Sequence, residues 1–160
     1  MRKGVFLCAL GCVFLLTGCM GRIDRTLPEN AIKFEWQVAP GFTEKMAEDA
    51  VGGGAGTGIT YRNRLYVTYA GIKNFLPGNE IGKCIGFAGN PEDGPEEAGD
   101  RVYLLKNDGS CDYLYYETIS GLMDVRWFLR AADTKGRKIK RYSFMDSSAY
   151  TGAGTFWGEE

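Results

Sequence analysis

The sequence contains no histidine, and this absence excludes several kinds of chemistry at once. Histidine is the general base of Ser-His-Asp and Cys-His catalytic sites and the commonest zinc ligand in proteins. A hydrolase built on this chain would therefore have to use carboxylates alone, and no pair of acidic residues is marked out for that role. The sequence favours a non-catalytic protein without a metal or cofactor.

The chain also lacks an excess of charge and a nucleotide-binding motif. Its 19 basic and 20 acidic residues give a formal net charge of -1, so it carries no basic footprint for nucleic acid. The glycine-rich stretch over residues 52–58 contains no Gly-x-Gly-x-x-Gly, and no Gly-Lys-Ser/Thr follows it. We therefore expect a flexible loop there and not a phosphate-binding loop.

Long hydrophobic runs are absent except at the amino terminus. Arg2 and Lys3 precede an apolar stretch over residues 4–16, which at helical rise is too short to cross a bilayer core of roughly 30 Å. A charged start followed by a short apolar core is typical of a secretory signal peptide. The stretch ends in Leu16-Thr17-Gly18-Cys19, which resembles the lipobox of bacterial lipoproteins.

The resemblance to bacterial lipoproteins implies how the protein is held in the cell envelope. In that family the lipobox cysteine receives a diacylglyceryl group, a signal peptidase cuts before it, and the new amino terminus is usually acylated. Cys19 is then the lipidation site, residues 1–18 are the leader, and the membrane is a partner. Two or more acyl chains anchor stably, because each buried methylene contributes about 0.8 kcal/mol. Met20, where an Asp would favour the inner membrane, implies the periplasmic side of the outer membrane in a Gram-negative source.

Cysteine becomes scarce once the leader is removed. Of five cysteines, Cys8 and Cys12 lie in the leader and Cys19 is the expected lipid carrier. Cys84 and Cys111 remain, and an even pair in an exported domain most simply forms a disulfide. Such a bridge would join the strand that contains Cys84 to a predicted hairpin over residues 102–116, in which Cys111 lies at the start of the return strand.

The remaining chain is predicted to form a tether over residues 19–31 and a single β-rich domain over residues 32–160. Residues 32–38 alternate apolar and polar with period two, which is typical of a half-buried strand. A two-turn helix is expected after Thr43. The expected fold is mainly β, a single antiparallel sandwich or barrel-like domain of about seven strands with one short helix.

Later segments extend this β pattern. Residues 59–61 and 65–69 are predicted as two strands joined by a turn near Arg62-Asn63. Residues 102–105 and 113–116 are predicted as a hairpin with a type I′ turn at Asp108-Gly109. Further strands are predicted at residues 81–87, 124–129 and 138–144.

Two charged clusters are candidate sites. The acidic loop over residues 88–100 does not have EF-hand spacing and is predicted to be solvated, with a weak cation site and a catalytic role as the alternatives. Its acids are Glu92, Asp93, Glu96, Glu97 and Asp100. A basic turn after residue 134 is interpreted first as keeping an exposed hairpin soluble and protecting its edge from pairing, and alternatively as a site that binds an anion. Its cations are Lys135, Arg137, Lys138, Lys140 and Arg141.

These observations leave two non-catalytic functions open. The first is contact with another envelope protein through exposed Tyr and Trp residues, because aromatic residues are enriched at interfaces. The second is binding of a small ligand or anion at a barrel mouth and the basic turn. A carboxylate-based hydrolase is a third, weaker reading. A large cavity would favour a ligand, and a flat apolar patch would favour a protein partner.

Overall fold

A computed structural model describes six stretches of the chain, residues 23–42, 56–73, 78–88, 100–118, 125–148 and 156–158. Cys19, the predicted helix after Thr43 and the acidic loop apart from Asp100 lie outside these residues. Within the described stretches, no helix has the length and apolar character needed to cross a membrane.

The described residues are mainly β and form one curled sheet of nine strands, shaped as a half-barrel. The strands are β1 Ile32–Phe34, β2 Gln37–Val38, β3 Thr57–Tyr61, β4 Arg64–Ile72, β5 Ile81–Ala88, β6 Asp100–Leu105, β7 Tyr113–Thr118, β8 Arg126–Ala131 and β9 Met145–Asp146. Their order in the sheet is β1-β5-β6-β7-β8-β4-β3-β2, and β9 also pairs with β4. Neighbouring strands are antiparallel, except that β1 runs parallel to β5.

The predicted mainly β, largely antiparallel fold is confirmed at this level. A sandwich of two packed sheets is not what the described residues form. Both faces of the single sheet are buried instead, so β7 reads as an almost continuous apolar run and not as a clean alternation. Because strands buried on both faces do not alternate apolar and polar residues, counting alternating segments in the sequence does not predict a single curled sheet.

The curl of the sheet depends on residues 32–38, which the sequence predicts as one strand. They form two short strands, of which β1 pairs with β5 at one edge of the sheet and β2 pairs with β3 at the other. Only Glu35 and Trp36 separate them, and this connection spans at most about 11 Å. The two edges are therefore close, and the rings of Phe34 and Tyr61 meet across them with centroids 6.2 Å apart.

Alternate residues of the central strands enter two apolar clusters on opposite faces of the sheet, as the period of two requires. The inner cluster lies inside the curl and includes Phe34, Ile59, Tyr61, Tyr66, Leu114, Tyr116 and Leu129. The outer cluster lies on the other face and includes Tyr69, Tyr103, Tyr113, Tyr115, Phe128, Tyr142, Phe144 and Trp157. Ile23 and Leu27 also pack against the outer cluster. Chain segments before β1 and after β8 thus cover the outer face.

Several predicted strand pairs are present. The predicted strands over residues 59–61 and 65–69 fall in β3 and β4, which pair antiparallel. Arg62 and Asn63 join them with φ of 49° and 61°, and two consecutive residues with positive φ are the mark of a type I′ turn. Strands β6 and β7 also form the predicted antiparallel pair.

The turn between β6 and β7 differs from the prediction. The residue with positive φ is Cys111, at 50°, and not Gly109. The backbone N–H of Cys111 donates to the Asp108 carbonyl at 3.0 Å, and the N–H of Tyr113 donates to the Asp108 carboxylate at 2.7 Å. A longer turn closed by the aspartate side chain therefore replaces the tight Asp-Gly turn.

The predicted strand over residues 138–144 is also wrong. This segment has irregular backbone, and only Met145–Asp146 after it pairs with β4. Tyr142 and Phe144 are buried in the outer cluster. Their alternation with polar residues therefore comes from a segment that lies across the sheet, not from a strand within it.

Gly86 provides a test of the pairing between β1 and β5. A Cβ atom at this position would lie 2.0 Å from the carbonyl oxygen of Ile32, so Gly86→Ala should separate the two strands and lower the free energy of unfolding by about 1–3 kcal/mol. Gly109→Ala is the matched control, because nothing lies within 4 Å of its added Cβ. Urea denaturation measures both, and equal stability of the two variants would contradict the observed pairing.

Candidate functional site

An open pocket of about 570 Å³ lies beside the carboxyl end of β8. Its lining residues are Arg130, Gly136, Arg137, Lys138, Ile139 and Arg141. Three of the five cations predicted to bind an anion are therefore brought to one pocket, and Arg130 joins them. We call this the basic pocket.

Arg130 is the residue that sequence reasoning missed. It is only 1% exposed, and its guanidinium lies 5.0 Å from the ring centroid of Tyr69 and 4.6 Å from that of Trp157. An arginine in a strand ordinarily suggests a solvated position. No sequence signal shows that Trp157, far along the chain, covers it.

Hydrogen bonds from Arg130 hold the segment that forms the wall of the pocket. Its Nε donates to the hydroxyl of Thr134 at 2.8 Å, and its Nη2 donates to the carbonyls of Thr134 at 2.7 Å and Arg137 at 3.3 Å. The Thr134 hydroxyl in turn donates to the carbonyl of Ala131 at 2.6 Å. Arg130 therefore both adds positive charge and fixes the backbone that carries Arg137.

The other two predicted cations do not line the basic pocket. The Lys135 ammonium donates to the carbonyl of Phe156 and lies 4.4 Å from the centroid of that ring. The Lys140 ammonium lies 4.4 Å from the ring centroid of Tyr142 and 3.4 Å from the carbonyl of Asn107. The basic turn therefore has two parts. Three of its cations line the basic pocket, and its two other lysines contact neighbouring segments of the same chain.

In the part of the chain that the structure describes, no acidic side chain lines the basic pocket. Asp133 comes next to the segment in sequence, but it accepts hydrogen bonds from Arg64 at 2.8 and 3.1 Å. Arg64 thereby holds the pKa of Asp133 below its usual value, with a smaller contribution from Arg137. This carboxylate stays ionised and paired to Arg64, so it does not neutralise the exposed cations of the pocket, which can attract an anion.

A second polar cluster is buried around Glu117, near the carboxyl end of β7. It lies about 13 Å along that strand from the end beside the basic pocket. The Glu117 carboxylate is 0% exposed and accepts hydrogen bonds from Arg25 at 2.8 and 3.3 Å. The hydroxyls of Tyr103 and Tyr115 also donate to it, at 2.9 and 3.3 Å. Burial, together with the nearby carboxylate, raises the pKa of both tyrosines, so they remain protonated donors.

Part of the predicted tether is therefore folded against the sheet. Residues 23–31 carry Arg25 to Glu117 and place Ile23 and Leu27 against the outer cluster. Arg101 ties the same segment down, because its Nε donates to the carbonyl of Arg25 at 3.2 Å. A groove of about 480 Å³ runs along the segment. Its lining residues are Arg25, Thr26, Leu27, Pro28, Glu29, Ala31, Phe87 and Arg101.

The predicted disulfide is not present in the structure. Cys84 and Cys111 are free thiols, and they lie on opposite faces of the sheet. Cys84 is buried in the outer cluster, where burial raises the pKa of its thiol. Cys111 packs against the inner cluster and accepts a hydrogen bond from the hydroxyl of Tyr66 at 3.4 Å. A bridge between them would have to pass through the sheet, so we correct this prediction.

Of the acids in the acidic loop, the structure describes Asp100 alone, and the described stretches contain neither a metal site nor an extended apolar patch. Within those stretches, no group of three or more Cys, Asp or Glu side chains is placed to hold a metal ion. Asp100, the described member of the acidic loop, accepts a hydrogen bond from the Tyr116 hydroxyl at 2.5 Å. In the same stretches, Ile32 is the large apolar side chain that is well exposed, at 41%.

Comparisons with known proteins give no family for this chain. No protein-family model matches it, and neither the curated proteins nor the solved structures contain a match. Its function is therefore inferred from the geometry of the sites and from the leader sequence.

Arg25 and Glu117 provide a test of the folded amino-terminal segment. Arg25→Ala leaves a buried carboxylate without its cation. Because the Arg25 side chain is 46% exposed, we expect a loss of about 1–3 kcal/mol in the free energy of unfolding, below the cost for a fully buried pair. The variant Glu117→Gln combined with Arg25→Ala should lose less than the sum of the single changes. Urea denaturation measures all three.

The control for this cycle is Lys83→Ala, which removes an exposed cation of β5. It should change the free energy of unfolding by less than about 0.5 kcal/mol. Full additivity of Arg25→Ala and Glu117→Gln would show that the two side chains do not interact in solution.

Proposed function

We propose that this chain is a lipid-anchored, non-catalytic module of the cell envelope that binds an anionic group in the basic pocket. Anchoring rests on Leu16-Thr17-Gly18-Cys19 and on the signal-peptide pattern before it. Ligand binding rests on one observation, that the exposed Arg137, Lys138 and Arg141 line one pocket around the buried Arg130, and that none of the described residues lining it is acidic. In a Gram-negative source the module faces the periplasm from the outer membrane.

The chemistry of the basic pocket favours a compact oxyanion. Guanidinium and ammonium groups donate charge-assisted hydrogen bonds to phosphate, sulfate or carboxylate oxygens. Arg130 is held by Thr134 and the Arg137 carbonyl, so the pocket wall is formed before a ligand arrives and little ordering is needed on binding. Ile139 adds an apolar contact for an organic portion of the ligand.

A flat protein-interaction surface has less support than the sequence suggests. That function depends on exposed aromatic residues, whereas in the described chain Trp157 is 2% exposed and Trp36 and Trp127 are half-buried against the inner cluster. A carboxylate-based hydrolase is also less well supported, because neither of the two pockets described above is lined by two acidic residues.

Anchoring is tested with Cys19→Ser. Serine has no thiol to form the thioether, so we expect an unprocessed precursor without lipid, detected by its lower mobility on gels and by loss of metabolic labelling with palmitate. Unchanged processing and labelling would contradict the proposed anchor and leave the basic pocket as the only basis for function.

Anion binding is tested by calorimetric titration with inorganic pyrophosphate. The double variant Arg137→Gln and Lys138→Gln removes two cations that line the pocket and should weaken binding by about tenfold or more, a change of about 1.4 kcal/mol. The matched control is Lys135→Gln with Lys140→Gln, which removes the same charge from the same turn but outside the pocket lining.

Comparing the two double variants distinguishes binding of pyrophosphate in the basic pocket from nonspecific electrostatic attraction to the turn. If the basic pocket is the binding site, the control pair should bind nearly as well as the unaltered protein. Equal loss in both pairs would mean that pyrophosphate responds only to the net charge of the turn, and this result would overturn the pocket.

A further inference from the structure

We infer that the surface formed by residues 23–33 rests directly on the headgroups of the membrane that holds the anchor. The inference rests on the proposed lipidation of Cys19 and adds an orientation to it. The sequence alone predicts a tether that holds the domain away from the membrane. The structure leaves almost no chain for such a tether.

The length of the connection sets the distance. Ile23 is the fourth residue after Cys19, so their Cα atoms are separated by at most about 14 Å. Ile23 already packs against the outer cluster, and Arg25 is fixed two residues later by Glu117. A lipid at Cys19 would therefore bring this part of the folded domain to the bilayer surface.

The side chains of this surface suit a bilayer interface. Ile32 and Lys33, whose side chains leave opposite sides of the edge strand β1, are both exposed. Of the residues that line the groove along the segment, Arg25 is exposed and Leu27 is half-buried, whereas Phe87 and Arg101 are buried. Apolar and cationic side chains exposed along the same edge of the domain are the combination that membrane-surface segments use.

Two acids on the same segment limit the affinity of this surface for lipid. Asp24 and Glu29 are exposed, and they offset the attraction of the cations to anionic headgroups. The surface is therefore expected to stay on the membrane because the short connection to Cys19 keeps it there, and not through strong binding of its own. The experiment therefore varies the length of the connection between Cys19 and the folded domain.

The experiment uses the lipidated chain added to preformed vesicles of phosphatidylethanolamine and phosphatidylglycerol. A second protein carries about ten Gly and Ser residues between Gly21 and Arg22, which lengthens the connection by roughly 18 Å and changes no described residue. A membrane-impermeant acetylating reagent labels exposed lysines, and mass spectrometry follows the rate at Lys33. Lys106 is the internal control, because it lies about 17 Å along β6 from Arg101.

We expect Lys33 to react several-fold more slowly in the unaltered protein than in the spacer variant, and Lys106 to react at the same rate in both. Equal rates at Lys33 would overturn the inference. Slow reaction of Lys33 in both proteins would also overturn it, because the surface would then be covered by something that the short connection does not hold.

Failure of this inference can be told apart from failure of the proposed function. Vesicles are first separated by flotation, and only the protein that floats with them is labelled. A chain that carries no lipid is recognised because it remains in solution. The double variant Arg137→Gln and Lys138→Gln should leave protection of Lys33 unchanged, since the basic pocket lies at the opposite end of β7 from Glu117.

Discussion

The structure depends on a covalent constraint, the two-residue link between β1 and β2. These strands occupy opposite edges of the sheet, so a link of this length forces the edges together and sets the curl. The inner cluster is enclosed as a result, and aromatic rings from both edges meet inside it. The outer face of a curled sheet cannot be buried by the sheet itself, and parts of the chain before β1 and after β8 have to cover it.

Each covering segment lies over a charged group of the sheet, Glu117 in one case and Arg130 in the other, and both polar clusters arise in this way. Before β1, Arg25 reaches the buried carboxylate of Glu117. After β8, Trp157 lies over the buried guanidinium of Arg130, and its indole N–H donates to the Thr68 carbonyl at 2.7 Å. In both places a charge that would be costly under apolar cover has hydrogen-bonding partners. The basic pocket is thus a consequence of how the outer face is closed.

Local pattern was sufficient for the β character, for the hairpin at Arg62 and Asn63, and for three of the cations that line the basic pocket. The local pattern could not predict contacts between residues that are far apart in the sequence, such as Arg25 and Glu117, which are separated by 92 residues. The cysteine pairing failed for a different reason. The register of β5 against β6 shifts on both sides of Cys84, and each shift alters which face a residue points to. The face of Cys84 therefore could not be counted from the sequence.

The position of residues 23–38 also bears on the order in which the domain can fold. Their partners are Ala88 and its neighbours in β5, Gly58 in β3 and Glu117 at the end of β7. Contacts over such sequence distances form late, because the loop between them must first be closed. The earliest-synthesised part of the described domain is among the last to be secured. A chain that ended before β7 would leave Arg25 without its carboxylate partner and the outer face only partly covered.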